Sequence, residues 1–335
     1  MTASPQEWEE AVDLLAGAPS VALACHVGPD GDALGSMLAL AAALRTRGCE
    51  VVASWGGEPF AVPAAYAFLP ALDVLVPPAD FPVAPPLFVT LDTGSPDRLG
   101  SLADRLKTAD SSLVVDHHAS NTRYGTVNLV EEGAAATAVL VAELVQRLGV
   151  PLTQEVAAPL YTGLVTDTGS FKHLATTPEV HQLAARLLAT GIRHDLISRA
   201  IYDTAPFGYV QLLGRACATA ELVRSAVGGL GLVWCALDAD DLERSGLGLA
   251  DVEGVIDVLR IAQEAEVAVV LKGDPVEGGL KVSTRSKGAV DVGAVCTALG
   301  GGGHRFAAGF TSFDDARTTL SRLCRELDAT PHLPV

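Results

Sequence analysis

The sequence predicts an α/β protein in three parts: an amino-terminal domain with a parallel sheet covered by helices on both faces, a helical connector, and a smaller α+β domain. Three observations predict it. Through the first half, short apolar, β-branched runs alternate with longer stretches of helical spacing, the pattern of βαβ units. From Thr153 to about residue 205 the texture is helical throughout. Strands then return, together with a glycine cluster at 300–303.

The elements follow in order. "MTASPQEWEEAVDLLAG" is acidic and amphipathic and lacks the basic and apolar regions of a signal peptide, so it reads as a first helix. "SVALACH" (20–26), "EVVASW" (50–55), "LFVTLDT" (87–93) and "SLVVDHH" (112–118) read as strands. The helical stretches "ALGSMLALAAALRTRG" and "AAATAVLVAELVQRLG" both end in glycine, a common stop. "VPPADFPVAPP" (76–86) reads as a surface loop. Three helices are expected from "TQEVAAPLYTGLVTDTGSF", "TPEVHQLAARLLATG" and "HDLISRAIYD". Further on, "DADDLERSG" (238–246) reads as a solvated helix start, and "GLGLVWCAL", "VAVVLKG" and "GLKVSTRS" as strands. The expected division is 1–190, a connector at 191–205, and 206–330. Trp8, Trp55 and Trp234 are expected to pack.

Composition narrows the function. A formal charge of −17 over 335 residues argues against binding long duplex nucleic acid, which needs a basic footprint. A small anionic substrate remains compatible, provided bound divalent cations supply local positive charge. No run approaches the roughly 18 apolar residues of a membrane span. The six cysteines are scattered without a CxxC pair, which suits reduced thiols in a cytoplasmic protein rather than a disulfide framework or a zinc site.

The chemistry gathers at the strand ends. The first strand delivers His26, Asp30 and Asp32, the third Asp92, and the fourth Asp116, His117 and His118; a later helix terminus adds Asp167. Alone, each has an ordinary explanation: Asp32 as a helix cap, Asp-Thr-Gly as a turn, Asp-His as a strand end. In a parallel sheet, however, ligands bind outside the carboxyl ends of the strands, where all of these collect. Carboxylates packed so closely repel unless something neutralises them. An oxygen-rich set with some imidazole suits two Mn²⁺ ions, with Mg²⁺ or Co²⁺ as substitutes, better than zinc. Two ions about 3.5–4 Å apart serve in-line displacement at phosphorus.

In their order, "HVGPDGDALGS", "LDTGS", "VVDHHASN", "VTDTGSF" and "GGGGHRFAAGF" resemble the DHH phosphoesterase family, specifically its NrnA-like DHH–DHHA1 group, from about residue 20 to 325. The resemblance implies an oligoribonuclease and 3′-phosphoadenosine 5′-phosphate phosphatase, commonly a homodimer. His26 and Asp30 would bind one ion, Asp32, His117 and Asp167 the other, with Asp92 bridging. His118 would sit beside the metals, contacting the scissile phosphate or tuning the groups around the metal ligands, and Asp116 would orient the histidines through hydrogen bonds. Arg285, Ser286, Gly301, Gly302, Gly303 and His304 would grip the substrate's terminal nucleotide, limiting substrates to short oligoribonucleotides or dinucleotides.

A cyclic di-AMP phosphodiesterase would use the same metals. A catalytically silent nucleotide sensor would show a substituted ligand, and none is seen. A family II pyrophosphatase lacks "GGGH", and a RecJ-like exonuclease needs more basic surface. His173 and His181 read as solvated or core-lining. Arg98, Asn121 and Arg123 lie near enough to the motifs to touch phosphate.

Overall fold

The computed structural model describes residues 3–333, which divide into one compact unit ending at Thr204 and another beginning at Ala205. In the first unit the chain runs α1 (Pro5–Gly17), β1 (Ser20–Cys25), α2 (Gly31–Thr46), β2 (Glu50–Trp55), β3 (Leu87–Leu91), α3 (Arg105–Thr108), β4 (Ser111–Asp116), β5 (Val127–Val130), α4 (Thr137–Arg147), α5 (Gln154–Asp167), α6 (Pro178–Leu188) and α7 (His194–Tyr202). Helix α1 starts where expected because Ser4 and Glu7 form a reciprocal capping box ahead of Pro5.

The first sheet has the order β2-β1-β3-β4-β5, all parallel. Strand order reverses between β1 and β3, so the crevice of this open sheet lies at their carboxyl ends. Register places Cys25 beside Leu91 and Leu91 beside Val115, so the residues that follow emerge side by side. Strand β5 is absent from the sequence reading; its four residues are too few to carry a period.

One face of the sheet carries the main core. Helix α2 is buried on nearly all sides there, which explains its lack of a polar stripe. Helix α5 lies against it so closely that a Cβ on Gly35 would come within 2.4 Å of the Pro159 carbonyl, and one on Gly163 within 2.6 Å of Asp32 Oδ1. The opposite face is covered by α3, the 3₁₀ segment Pro96–Leu102 and the proline-rich loop, which buries Phe81 against Phe88. That loop is therefore pinned to the core. The stretch expected as a connector, 191–205, falls within the first unit through Thr204, because α7 buries Ile197 in its core.

The second unit contains α8 (Phe207–Thr219), β6 (Glu221–Val223), β7 (Leu232–Leu237), α9 (Ala239–Ser245), α10 (Val255–Leu259), β8 (Val267–Gly273), β9 (Leu280–Ser286), α11 (Val292–Ala298), β10 (Gly302–His304), β11 (Ala307–Ser312) and α12 (Ala316–Ala329). Its sheet, ordered β10-β11-β9-β8-β7-β6, is antiparallel except for the β7–β8 pair. Helices α11 and α12 pack on one face, and α8, α9 and α10 on the other. Alternation along β9 buries Val282, Thr284 and Ser286 and turns Lys281, Ser283 and Arg285 to the opposite side. The six cysteines are unpaired; Cys25, Cys235 and Cys296 are buried, while Cys217 is exposed. Among the described residues no helix is long and apolar enough to cross a membrane.

Candidate active site

Three strand ends and two helix ends converge in the first unit. His26 follows β1, Asp92 follows β3, Asp116 closes β4 ahead of His117 and His118, Asp30 and Asp32 open α2, and Asp167 closes α5. The ring of His26 stands 3.6 Å from Asp92 Oδ2 and 3.8 Å from Asp30 Oδ2, both through Nε2. His117 Nε2 stands 3.6 Å from Asp92 Oδ1 and 3.1 Å from Asp167 Oδ2. Asp92, nearly sealed from solvent, thus turns one oxygen to each of two imidazoles. Its backbone adopts the left-handed conformation (φ 54°), one that aspartate tolerates better than most residues.

The tautomers follow from the neighbours. His26 Nδ1–H donates to the Val27 carbonyl (3.0 Å) and His117 Nδ1–H to the Ala134 carbonyl (3.1 Å), which turns each Nε2 toward the carboxylates. Donation of one ring nitrogen to a backbone carbonyl is how metal-binding histidines are usually held. His118 differs. Its Nδ1 is 2.7 Å from Asp116 Oδ1, and fully buried Asp116 accepts through Oδ2 from Asn121 Nδ2 at 2.6 Å.

Charge sharpens the picture. Burial by itself would lower His26, yet Asp30 and Asp92 outweigh it and raise its pKa to about 10. Burial likewise opposes Asp167 at His117, and Asp116 and Asp92 at His118, and both rings are raised. Burial, reinforced by the charges of Asp92 and Asp167, pushes Asp32 well above the usual carboxylate range. Asp167 is pushed up, first by burial. Asp92 and Asp30 are lowered: burial opposes them, and the histidines prevail. Burial and neighbouring charge oppose the ionisation of Asp32 and Asp167, and a bound cation would relieve that opposition while displacing the protons that the imidazoles take up without it.

The donor sets fit that need. His26, Asp30 and Asp92 bring ligand atoms within 4.8 Å of one another, and so do Asp32, His117 and Asp167. Ligands about 2.1 Å from one ion sit roughly 3–3.5 Å apart, close to the separations seen here. Asp92, His117 and His118 also cluster, but the Nδ1 of His118 is already bonded to Asp116.

Asp32 is not the cap of its own helix. Asp30 takes that part, accepting from the Asp32 and Ala33 amides at 3.0 Å. Asp32 instead accepts from the Thr137 amide (2.6 Å), the Ala138 amide (2.9 Å) and the Ser36 hydroxyl (3.1 Å). Thr137 and Ser36, which bind these carboxylates, read in the sequence as ordinary residues of apolar helices. Of the three flanking polar residues, Arg98 reaches the His26 ring (3.3 Å) and Asn121 holds Asp116, whereas Arg123 turns away to pair with Glu7. His173 donates through Nδ1 to the Asp167 carbonyl, and His181 stacks on Phe171.

The expected substrate-gripping residues all lie in the second unit. Arg285, Ala307 and His304 stand directly opposite one another across β9, β11 and β10, so their side chains share a face. Arg285 is half-buried and bonded to the Thr284 carbonyl; His304 is exposed. The buried hydroxyl of Ser286 donates to Glu266 (2.8 Å) and accepts from the amides of Gly288 and Val290, which fixes the turn after β9. The glycine run forms the turn after α11 and the edge strand β10. Gly300 and Gly301 donate to the last carbonyls of α11, and Gly302–His304 pair with β11. Glycine is required at 301 and 303 because a Cβ would come within 2.1 Å of the Gly309 carbonyl and 2.6 Å of Ala308 Cα.

Comparison with known proteins agrees with this geometry. Residues 20–164 match the DHH family, N-terminal domain, and residues 245–328 match the DHHA1 domain. The bifunctional oligoribonuclease and PAP phosphatase NrnA of Thermus thermophilus is 36% identical over 311 residues, 92% of this chain and 90% of that protein. The chain belongs to the DHH family. The cyclic-di-AMP phosphodiesterase GdpP of Geobacillus thermodenitrificans is 28% identical over 65% of this chain and 32% of its own length. The fold is similar to that of an exopolyphosphatase-related protein from Bacteroides fragilis, with a TM-score of 0.87 at 21% identity over 98% of this chain and 97% of that one.

Proposed function

We propose that the chain is a two-metal phosphodiesterase that hydrolyses very short oligoribonucleotides such as pApA to mononucleotides and also removes phosphate from 3′-phosphoadenosine 5′-phosphate. The observation that carries this reading is the two-sided placement of Asp92 between His26 and His117, each flanked by further carboxylates. His26, Asp30 and Asp92 would hold one ion, and Asp32, His117, Asp167 and Asp92 the other. The oxygen-rich donors favour Mn²⁺ or Mg²⁺. Such ions, when bound, polarise phosphoryl oxygens and lower the pKa of water.

The chain's own residues do the rest. His118 carries its Nδ1 proton toward Asp116, so Nε2 is the ring's basic nitrogen; protonated there, the imidazolium pairs with a phosphoryl oxygen while Asp116 stabilises its charge. Arg285 and His304 would hold the phosphate or base of the terminal nucleotide. The likeness to a cyclic-di-AMP phosphodiesterase favours one second reading, hydrolysis of cyclic di-AMP by the same centre. Incubation with Mn²⁺ and pApA, cyclic di-AMP, 3′-phosphoadenosine 5′-phosphate or a long RNA separates the readings by initial rate. Turnover of pApA and 3′-phosphoadenosine 5′-phosphate is expected to dominate. Cleavage of cyclic di-AMP alone would favour the second reading, and cleavage of the long RNA alone would refute both.

A further inference from the structure

Thr137 opens α4 and is fully buried. Ala136, at the capping position before it, has no side chain able to bond the helix's first amides. Those amides are satisfied from elsewhere: Thr137 N–H donates to Asp32 Oδ2 (2.6 Å) and Ala138 N–H to Asp32 Oδ1 (2.9 Å). The Thr137 hydroxyl turns to a different carboxylate, donating to Asp92 Oδ1 at 2.9 Å. One residue therefore grips two acids, drawn from α2 and from the end of β3.

The consequence is rotational. A carboxylate turns about its last side-chain bond in a broad, roughly twofold well, so the plane of Asp92 is set by what its oxygens meet: His26, His117 and His118 stand 3.6 Å away, and the Thr137 hydroxyl is nearer than any of them. With Oδ1 accepting from that hydroxyl, Oδ1 is held on the side of His117 and His118 and Oδ2 on the side of His26.

We propose that Thr137 is the positioning residue of the metal centre, its hydroxyl setting the bridging orientation of Asp92 while its amide holds Asp32 in the same frame. The inference rests on the two-metal reading above. Thr137→Val removes the hydroxyl but keeps the shape and the amide, and Thr137→Ser restores the hydroxyl. Mn²⁺ titration by calorimetry is read beside kcat and KM on pApA. Wild type and Thr137→Ser are expected to bind two ions. Thr137→Val is expected to bind one of them about 10–100-fold more weakly and to lose kcat by a similar factor, with KM little changed. Should Thr137→Val fail to fold, Thr137→Ala carries the same expectation. Two ions at wild-type affinity in Thr137→Val, or equal impairment of Thr137→Ser, would overturn this inference alone. A wild-type protein that binds no Mn²⁺ would overturn the two-metal reading and this one with it.

Discussion

Replacing Asp116 with asparagine tests the catalytic half of the site without removing a proposed metal ligand. Both oxygens of this fully buried carboxylate are engaged, Oδ1 by His118 Nδ1 at 2.7 Å and Oδ2 by Asn121 Nδ2 at 2.6 Å. Both partners donate, so an amide, which offers one acceptor and one donor, must fail one of them. Asn121 cannot flip to compensate, because its own Oδ1 accepts from the Arg123 amide (2.7 Å) and its Nδ2 also reaches the Thr93 carbonyl (3.2 Å). The amide group of the variant therefore faces His118 and forces the other tautomer, with Nδ1 accepting and Nε2 carrying the proton. Loss of a buried charge-assisted bond should cost about 1–3 kcal/mol of stability. The wrong tautomer should lower kcat by about 10²–10⁴, or roughly 3–5 kcal/mol of barrier. Steady-state kinetics on pApA, with Mn²⁺ titration and a melting curve, reads all of this. Two ions should still bind. A folded variant whose kcat lies within about threefold of wild type would refute the role given to Asp116 and His118.

Metal-free stability should fall as pH rises from 6.5 toward 10. The His26 pKa is raised from 6.5 to about 10, so its contribution is complete below 6.5 and lost as pH climbs through the folded value; the lowered acids Asp30 and Asp92 are ionised in folded and unfolded chains across this window. Melting temperatures in a chelator at the two pH limits check it, and Mn²⁺, which binds deprotonated ligands, should narrow the difference; a rising metal-free melting point would contradict the assignment. Gly163→Ala should destabilise by about 1–3 kcal/mol and weaken Mn²⁺ binding, since its Cβ would press within 2.6 Å of Asp32 Oδ1; unchanged calorimetric affinity would show that Asp32 is not displaced. His304→Ala should raise KM for pApA about 10–100-fold at nearly constant kcat, and an unaltered KM would remove its gripping role.

The groups at the strand ends were legible because a buried parallel strand is a short apolar run, and its end is where the first Asp or His appears. His26, Asp92 and Asp116 follow such runs directly, and neighbouring strands in register place them together. What holds those groups was not legible. Thr137 lies 105 residues from Asp32 and 45 from Asp92, and no local period records a bond of that span. Gly163 looks like a weak point in a helix until α2 is laid against it. Arg123 follows Asn121 by only two residues in sequence, yet pairs with Glu7 on α1, an element the local pattern does not connect to it. In the second unit, composition left the conformation of the glycines open. A run of them permits a phosphate cradle or a close-packed edge strand equally, and the carbonyl of Gly309 decides for the strand.

Asp32 links the chemistry to the fold. Its carboxylate closes the first turn of α4, a part worth about 0.5–2 kcal/mol when a side chain plays it, while the charges of Asp92 and Asp167 oppose its ionisation. Three donors hold it against that repulsion, two of them amides at a helix N-terminus, where negative charge is favoured. The arrangement gives a buried carboxylate, whose ionisation burial and its acidic neighbours oppose, two amides and a hydroxyl as partners, with His117 as the basic side chain nearby. A cation beside Asp32 would relieve the remaining repulsion and tighten the cap together. On this reading metal affinity and the stability of the α2–α4–α5 core are the same quantity seen from two sides, and a change at Gly163 or Ser36 should move both in the same direction.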